Sequence, residues 1–256
     1  MHDPHRYRPT ERFGDRVAEY ERARPGYPPA LTPWLLRAAA VEPGDAVADI
    51  GSGTGLFTRE LLAAGLQVYG VEPNAPMRAA AERNFTGQPN FFSVYGSAEA
   101  SGLPDSSVKL LTAAQAFHWF DLPLARTEAR RILKPGACAA LIWNVRRLDG
   151  AFALAYEAML MTRCPAYAAG QPHQAAPSDI DGFFAPATPR SARFDYVQTF
   201  DFEKLCARLL SSSYTPKADD PERPPLVAAL RELFERHERS GCVAFEYDTR
   251  VHLGAL

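Results

Sequence analysis

The chain has 256 residues, of which 46% are hydrophobic and 23% are charged, and its formal net charge is −2. This composition is typical of a globular protein that is long enough for one large α/β domain or for a core domain with a cap. No block of five or more basic residues occurs, and no apolar run approaches the roughly 20 residues of a membrane span. We therefore expect neither nucleic acid nor a membrane as a partner.

The N-terminal residues as far as Arg24 are polar and charged, which predicts a chain without a secretory signal. The four cysteines are far apart and form no Cys-x-x-Cys pair, so we interpret them as reduced and mostly buried. Together these features predict a cytoplasmic protein. No cluster of Asp, Glu and His stands at ligand spacing near the motifs described below, so we predict no metal site.

Strands and helices alternate along the first 144 residues. A helix is predicted at 28–41, where two prolines suit the helix start. Short, mostly apolar runs predict strands buried on both faces of a parallel sheet at 46–50, 67–71, 90–95, 108–114 and 138–144. Helical stretches separate them at 55–64, 76–84 and 122–133. This alternation predicts a doubly wound α/β sheet.

The pattern changes after Asn144. An apolar helix is predicted at 151–163, and 164–192 is rich in Pro, Ala, Gly and Ser, which predicts an irregular insertion or cap. The remaining predicted elements are a strand at 194–200, helical stripes at 202–210 and 226–237, a proline-rich loop at 216–225 and a strand at 243–253. We divide the chain into an N-terminal segment (1–45), a core (46–148), a cap (149–192) and a C-terminal completion of the sheet (193–256).

Residues 47–55 read Val-Ala-Asp-Ile-Gly-Ser-Gly-Thr-Gly and form the most informative motif of the chain. A short apolar strand ends there, and the chain turns through three alternate glycines into a helix. Glycine presents no side chain, so a ligand can lie against the backbone, and the free N–H groups of the helix start face the same ligand. Glu72 closes the next strand, and its two carboxylate oxygens suit the paired hydroxyls of a ribose. The motif predicts a site for a cofactor that contains a nucleoside.

The glycine spacing indicates which cofactor this is. A dinucleotide fingerprint reads Gly-x-Gly-x-x-Gly, whereas this loop reads Asp-x-Gly-x-Gly-x-Gly. The loop resembles motif I of the class I S-adenosylmethionine-dependent methyltransferases. Further motifs, in the order expected for the type 11 small-molecule subgroup, begin at Arg24-Pro25, Gly96-Ser97, Leu103-Pro104, Ala114-Gln115, Leu133-Lys134 and Ser211-Ser212. The resemblance implies a mostly parallel, seven-stranded, Rossmann-like sheet with an antiparallel last strand and an inserted cap.

The resemblance also implies roles for the matching positions. The glycine loop would hold the methionine portion of S-adenosylmethionine, Asp49 its amine and Glu72 its ribose, while the loop after the third strand borders the adenine. Residues after the fourth strand face the sulfonium, and the N-terminal segment closes over the cofactor. The cofactor-binding residues predicted in this way are Tyr20, Arg24, Asp49, Gly51, Ser52, Gly53, Gly55, Glu72, Pro73, Ser97, Ala98, Glu99, Gln115, Phe117 and Trp119.

His118 is the predicted catalytic base for a hydroxyl or amine acceptor, because histidine titrates near neutral pH and this residue follows the carboxyl end of the fourth strand. A role in shaping the cofactor pocket is the alternative. His173, Ser213 and Tyr214 are candidate substrate contacts.

The kind of acceptor is indicated by a missing motif. No Asn/Asp-Pro-Pro-Tyr/Phe motif, which is found in enzymes that methylate amino groups of bases and amides, follows the fourth strand. Its absence favours a small-molecule acceptor. The oligomeric state is expected to be a monomer or a homodimer.

Two other functions remain open from the sequence. The first is an NAD(P)-dependent oxidoreductase on the same topology, which the glycine spacing disfavours. The second is a protein of the methyltransferase fold that binds the cofactor without transferring a methyl group, for example a cyclase-like enzyme or an interaction partner.

Overall fold

The computed structural model describes residues 24–169, 176–212 and 214–256. Within these ranges one sheet contains the strands β1 (Ala46–Ile50), β2 (Gln67–Val71), β3 (Phe91–Val94), β4 (Val108–Ala114), β5 (Leu133–Arg146), β6 (Arg190–Phe200) and β7 (Val243–Gly254). Their order is β3-β2-β1-β4-β5-β7-β6. Strands β1 to β5 are parallel, and β7 is antiparallel to both of its neighbours. The predicted fold is therefore confirmed.

Helices connect the strands. Those in the described ranges are α1 (Leu31–Ala38), α2 (Leu56–Ala63), α3 (Ala75–Asn84), α4 (Leu122–Ile132), α5 (Ala151–Arg163), α6 (Pro165–Ala168), α7 (Pro177–Phe184), α8 (Phe202–Leu210) and α9 (Arg223–His237). A single 3-10 turn, Phe117–Trp119, follows β4. Helices α3, α4 and α8 each begin after an Asn or Asp whose side chain accepts a backbone N–H of the first turn, which stabilises the helix start.

The central strands are covered on both faces, which explains why their sequences are almost continuously apolar. Successive residues point to opposite faces, so Val47 packs with α1 and α2 while Ala48 packs with α4 and α7. A third apolar cluster lies where α5, α8 and α9 pack on β7, with Tyr156 and Phe245 at its centre. This third cluster supports one end of the cavity described below.

Several element boundaries differ from the sequence predictions. The helix predicted at 28–41 is α1, Leu31–Ala38, because the chain turns at the prolines before it and at Ala40, which has a φ of 52°. Strand β5 begins directly after α4 and includes the Lys134-Pro135-Gly136 segment. Helix α9 begins at Arg223, inside the predicted loop 216–225, because prolines in the first turn of a helix need no backbone N–H.

The segment 164–192 is more regular than its composition predicts. It contains α6 and α7 and the first residues of β6. Ile180, Phe183 and Phe184 of α7 are buried against the core near α4. The expectation of an irregular cap is corrected accordingly, because an eight-residue helix shows too few turns for its periodicity to be read from sequence.

No helix in the described residues is long and apolar enough to cross a membrane. Over the same residues, no group of three or more His, Cys, Asp and Glu side chains is placed to hold a metal ion.

Candidate cofactor and substrate site

A cavity of about 560 Å³ opens at the carboxyl ends of β1, β2, β4 and β5. The strand order reverses between β1 and β4, and open α/β sheets bind their ligands at such a reversal. Four loops, which follow β1, β2, β3 and β4, form one end of the cavity, and side chains from β5, α5, α6, α8 and β7 form the other. We call these the loop end and the helix end.

Glycine occupies three positions of the loop after β1, and the structural reason differs between them. All three have positive φ, at 68° for Gly51, 59° for Gly53 and 90° for Gly55. A Cβ at Gly51 would lie 2.6 Å from the Cβ of Ala116, and one at Gly55 would lie 2.3 Å from the Phe85 ring. A Cβ at Gly53 would meet no protein atom within 4 Å. Gly51 and Gly55 are thus required by packing, whereas Gly53 leaves open space beside the cavity.

Glu72 is fixed in the wall of the loop end. Its Oε2 accepts the N–H of Gly53 at 2.9 Å and its Oε1 accepts the N–H of Asn74 at 2.8 Å. Burial raises the pKa of Glu72, and these two backbone N–H groups oppose that rise. A carboxylate offers about four acceptor positions, so two remain for hydroxyl donors in the cavity.

Asp49 lies beneath the glycine loop and is only 1% exposed. Thr58 donates its hydroxyl to Oδ2 at 2.7 Å, and Thr112 donates to Oδ1 at 2.8 Å. Burial raises the pKa of Asp49 to about 6, and the two threonine hydroxyls limit the rise. A buried carboxylate with a raised pKa that lines a cavity is typical of a functional site, where it can neutralise a bound cation.

The loop after β3 is held in place by two carboxylates. Glu99 accepts the N–H of Asp121, the N-cap residue of α4, at 2.9 Å. Glu128 of α4 accepts both the N–H of Ser101 at 2.8 Å and its hydroxyl at 2.5 Å. The Arg131 guanidinium beside Glu128 lowers the pKa of that carboxyl to about 2. Ser97, Ala98 and Glu99 therefore line the loop end from a firmly attached loop.

The segment after β4 brings several predicted residues to the cavity wall. Gln115 has a φ of 58°, a strained conformation for a residue other than glycine, and its side chain donates to the backbone carbonyl of Asn144 at 3.3 Å. His118 and Trp119 line the cavity with their ring centroids 4.9 Å apart. Strain of this kind persists where the surrounding structure imposes it, and it is concentrated at ligand sites.

The structure corrects the expected placement of two residues. Phe117 is 1% exposed and packs edge-to-face on Phe183 with ring centroids 5.0 Å apart, so it belongs to the core. The short turn directs Phe117 and His118 to different sides, and only His118 reaches the cavity. Gly55 is the N-cap of α2 against Phe85 and is likewise absent from the cavity wall.

The other predicted residues divide into two groups. Those that line the cavity are Arg24, Asp49, Gly51, Ser52, Gly53, Glu72, Pro73, Ser97, Ala98, Glu99, Gln115, His118, Trp119 and Tyr214. Tyr20, His173 and Ser213 lie outside the described residues.

The helix end of the cavity contains side chains that the sequence analysis did not name as site residues. They are Asn144, Arg146, Glu157, Tyr167, Arg208, Ser212 and Tyr247. Asn144 donates to the carbonyl of Gly26 at 2.9 Å and accepts the hydroxyl of Thr249 at 2.6 Å, which ties the N-terminal segment to the sheet. Arg24 donates to the carbonyl of Ser211 at 3.2 Å. The available signal was position: Asn144 and Arg146 stand at the carboxyl end of β5, where α/β ligand sites form.

Substituting Gly53 tests whether the open space beside it belongs to a ligand. We expect Gly53→Ala to lower stability by roughly 1 kcal/mol, because alanine disfavours positive φ, and to weaken S-adenosylhomocysteine binding by about fivefold or more. Gly87→Ala is a matched control, since Gly87 has a φ of 80°, also has open space around its Cβ position and lies outside the cavity. Chemical unfolding and calorimetric titration measure the two effects. Equal cofactor affinity in both variants would contradict this role of Gly53.

Several known proteins resemble this chain in sequence or in fold. Residues 48–141 match the family described as a methyltransferase domain. An uncharacterized methyltransferase of Mycobacterium tuberculosis is 42% identical over 138 residues, which are 52% of this chain and 52% of that protein. An uncharacterized methyltransferase-like protein of Schizosaccharomyces pombe is 29% identical over 86% of this chain and 85% of its own length. The chain thus spans about half the length of the first curated relatives it matches.

Solved structures share the fold. A protein described as a candidate type II methyltransferase from Anaeromyxobacter dehalogenans superposes with a TM-score of 0.68 at 23% identity, covering 90% of this chain and 97% of that chain. Phosphoethanolamine N-methyltransferase 2 of Haemonchus contortus, solved with S-adenosylhomocysteine, has a TM-score of 0.55 at 13% identity, covering 95% of this chain and 58% of that chain.

A seven-stranded sheet in this order, with an acidic strand end and a glycine loop at its reversal point, defines the class I methyltransferase fold. Over residues 48–141 the sequence is similar to the methyltransferase-domain family, and the fold of the whole sheet supports that similarity.

Proposed function

We propose that this protein transfers the methyl group of S-adenosylmethionine to a small-molecule acceptor. The observation that carries the proposal is Glu72, whose carboxylate is held by the N–H groups of Gly53 and Asn74 and still faces the cavity. Two neighbouring hydroxyl groups, as on an unmodified ribose, would complete its hydrogen bonds. The glycine loop beside it is too short for the dinucleotide spacing, which disfavours hydride transfer.

The residues of the loop end fit the parts of this cofactor. Glu72 would accept from the ribose, Ser97 and Ala98 would border the adenine, and Asp49 with Gly53 would accommodate the amino-acid portion. When bound, S-adenosylmethionine supplies an electrophilic methyl group. The acceptor's nucleophilic atom forms a bond to the methyl carbon, the methyl–sulfur bond breaks, and the electron pair of that bond goes to sulfur.

The protein's contribution to such a displacement is mainly positioning. Holding two reactants in line and at near-attack distance can supply about 7–11 kcal/mol of the barrier. The walls of this cavity come from loops fixed by hydrogen bonds at Asp49, Glu72 and Glu99. Trp119 lines the same cavity, and an aromatic face adds roughly 0.5–2 kcal/mol to the binding of a nearby cation. A cavity of about 560 Å³ suits small molecules rather than a macromolecular segment.

His118 is the proposed general base for an acceptor whose nucleophile carries a proton. We expect His118→Ala to lower kcat by about a hundredfold while cofactor affinity changes by less than about threefold, because general-base catalysis contributes on the order of a hundredfold or more. The measurement uses an acceptor found by screening with labelled methyl donor, and it records kcat against pH. His237→Ala, on α9 and outside the cavity, is the control. Unchanged turnover in His118→Ala would exclude this role.

A further inference from the structure

The helix end of the cavity carries more positive than negative charge. Arg24, Arg146 and Arg208 line it, and Glu157 is the single carboxylate among the described residues of that end. Glu157 forms an ion pair with Arg146 and also accepts the Tyr167 hydroxyl at 2.6 Å. Its negative charge is therefore already matched by Arg146.

Arg208 is the most unusual of these groups. It lies on α8, and its Nη1 donates to the Ser212 hydroxyl at 3.2 Å. Its Nε is buried and has no hydrogen-bond partner in the described part of the chain, where Arg208 also has no carboxylate within ion-pair distance. A guanidinium in a protein always carries its charge, and burying that charge without an anion is unfavourable, because the lost hydration is not replaced. Such an arrangement is stable in a protein when a ligand supplies the anion.

Tyr247 adds a second donor at the same end. It is 2% exposed and lines the cavity, and its buried hydroxyl lies beside the Arg208 guanidinium with no other hydrogen-bond partner among the described residues. The guanidinium of Arg146 packs against two aromatic rings at the same end. Its central carbon lies 4.8 Å from the Tyr156 ring centroid and 5.1 Å from that of Phe245. The helix end thus presents hydrogen-bond donors and positive charge, and its carboxylate, Glu157, is already paired with Arg146. Carboxylates and phosphates bind to such an arrangement of donors.

We propose that the methyl acceptor carries an anionic group, a carboxylate or a phosphate, and that Arg208 and Tyr247 bind this group at the helix end of the cavity. The inference rests on the proposed function, because it specifies the acceptor of that reaction. The anionic group is a binding handle, and the atom that receives the methyl group lies elsewhere on the acceptor, toward the loop end.

The test measures binding rather than turnover. The full chain, saturated with S-adenosylhomocysteine, is titrated by calorimetry with matched pairs: benzoate with benzamide, succinate with succinamide, and phenyl phosphate with phenol. We expect at least one anion to bind about tenfold or more tightly than its neutral partner, as one charge-assisted contact provides. Tighter binding of phenyl phosphate than of both acids identifies a phosphate, and the reverse identifies a carboxylate. If no anion is preferred over its neutral partner, the proposal is wrong.

Variants assign the preference to Arg208. We expect Arg208→Gln to abolish it and Arg208→Lys, which keeps the charge, to retain part of it. Arg163→Gln removes one positive charge from an exposed position at the end of α5 and should leave the preference intact. If Arg208→Gln still binds the anion as selectively as the wild type does, the proposal is overturned. If Arg208→Gln does not fold, Arg208→Lys takes its place, because lysine lacks the bidentate guanidinium. Full selectivity for the anion in Arg208→Lys then overturns the proposal. Failure of the wild type to bind S-adenosylhomocysteine contradicts the proposed function instead, and the anion titrations without it still test the helix end.

Discussion

Glu72→Ala is expected to weaken the binding of S-adenosylmethionine by about tenfold or more, because a charge-assisted hydrogen bond contributes roughly 1.5–3 kcal/mol. The carboxylate is 8% exposed, is oriented by the N–H groups of Gly53 and Asn74, and faces the cavity. Its removal would eliminate the proposed ribose contact and would also release the glycine loop from its hydrogen bond to Glu72. Both effects act on the cofactor, so calorimetric titration of the purified variant should show the loss directly.

Glu128→Ala is the matched control for this experiment. Glu128 is also 8% exposed and also accepts a backbone N–H, that of Ser101 at 2.8 Å, but it does not line the cavity. We expect this variant to lose stability, because Arg131 and Ser101 lose their acceptor, while its affinity for the cofactor falls much less than in Glu72→Ala. Equal losses of affinity in the two variants would show that Glu72 acts only through loop stability.

Asp49→Asn is expected to stabilise the protein without ligand at neutral pH and to weaken cofactor binding. Burial raises the pKa of Asp49 from 3.8 to about 6, so the folded protein retains the proton at pH values where the unfolded chain has lost it. The charge therefore costs stability as the pH rises from about 4 to about 6, by roughly 3 kcal/mol at most at 1.36 kcal/mol per pH unit. The neutral amide avoids this cost.

Urea unfolding at pH 4 and pH 7.5 checks this sign. The stability of Asp49→Asn relative to the wild type should increase by about 2 kcal/mol between the two pH values, because part of the full effect is already present at pH 4. Asp45→Asn is an informative control: the backbone N–H of Glu42 and the Lys109 ammonium lower the pKa of Asp45, so this carboxyl is largely ionised in both the folded and the unfolded chain over this range, and the effect of its substitution should vary little with pH. A difference in stability between Asp49→Asn and the wild type that does not vary with pH would contradict the raised pKa.

In the wild type, cofactor affinity should fall as the pH drops below about 6, since a protonated Asp49 cannot neutralise an ammonium group.

The central strands and the loops that follow them could be predicted closely from the sequence. The bounds of β1, β2 and β4 agree with the predictions, because strands buried on both faces are uninterrupted apolar runs that end at glycines or polar residues. The loop end of the cavity is equally accessible to sequence reasoning. Asp49, Gly53 and Glu72 stand within two consecutive strand–loop units, so their linear spacing fixes their spatial relation.

The helix end could not be predicted in the same way. Arg208 appears in sequence as an ordinary polar residue beside the apolar stripe of Leu205 and Leu209, and only the packing of α8 over the sheet brings it to the cavity. Glu157 and Tyr247 reach the same space from α5 and β7, which are far apart along the chain. The orientation of Phe117 into the core was inaccessible for a related reason, because a single 3-10 turn has no periodicity that distinguishes its faces.

A titration with two ligands decides whether the cavity binds S-adenosylmethionine or a nicotinamide dinucleotide. The wild-type protein is titrated by calorimetry with S-adenosylhomocysteine and, separately, with NADH. We expect stoichiometric binding of S-adenosylhomocysteine that Glu72→Ala weakens by about tenfold or more, and no saturable binding of NADH. Saturable binding of NADH without binding of S-adenosylhomocysteine would contradict this expectation.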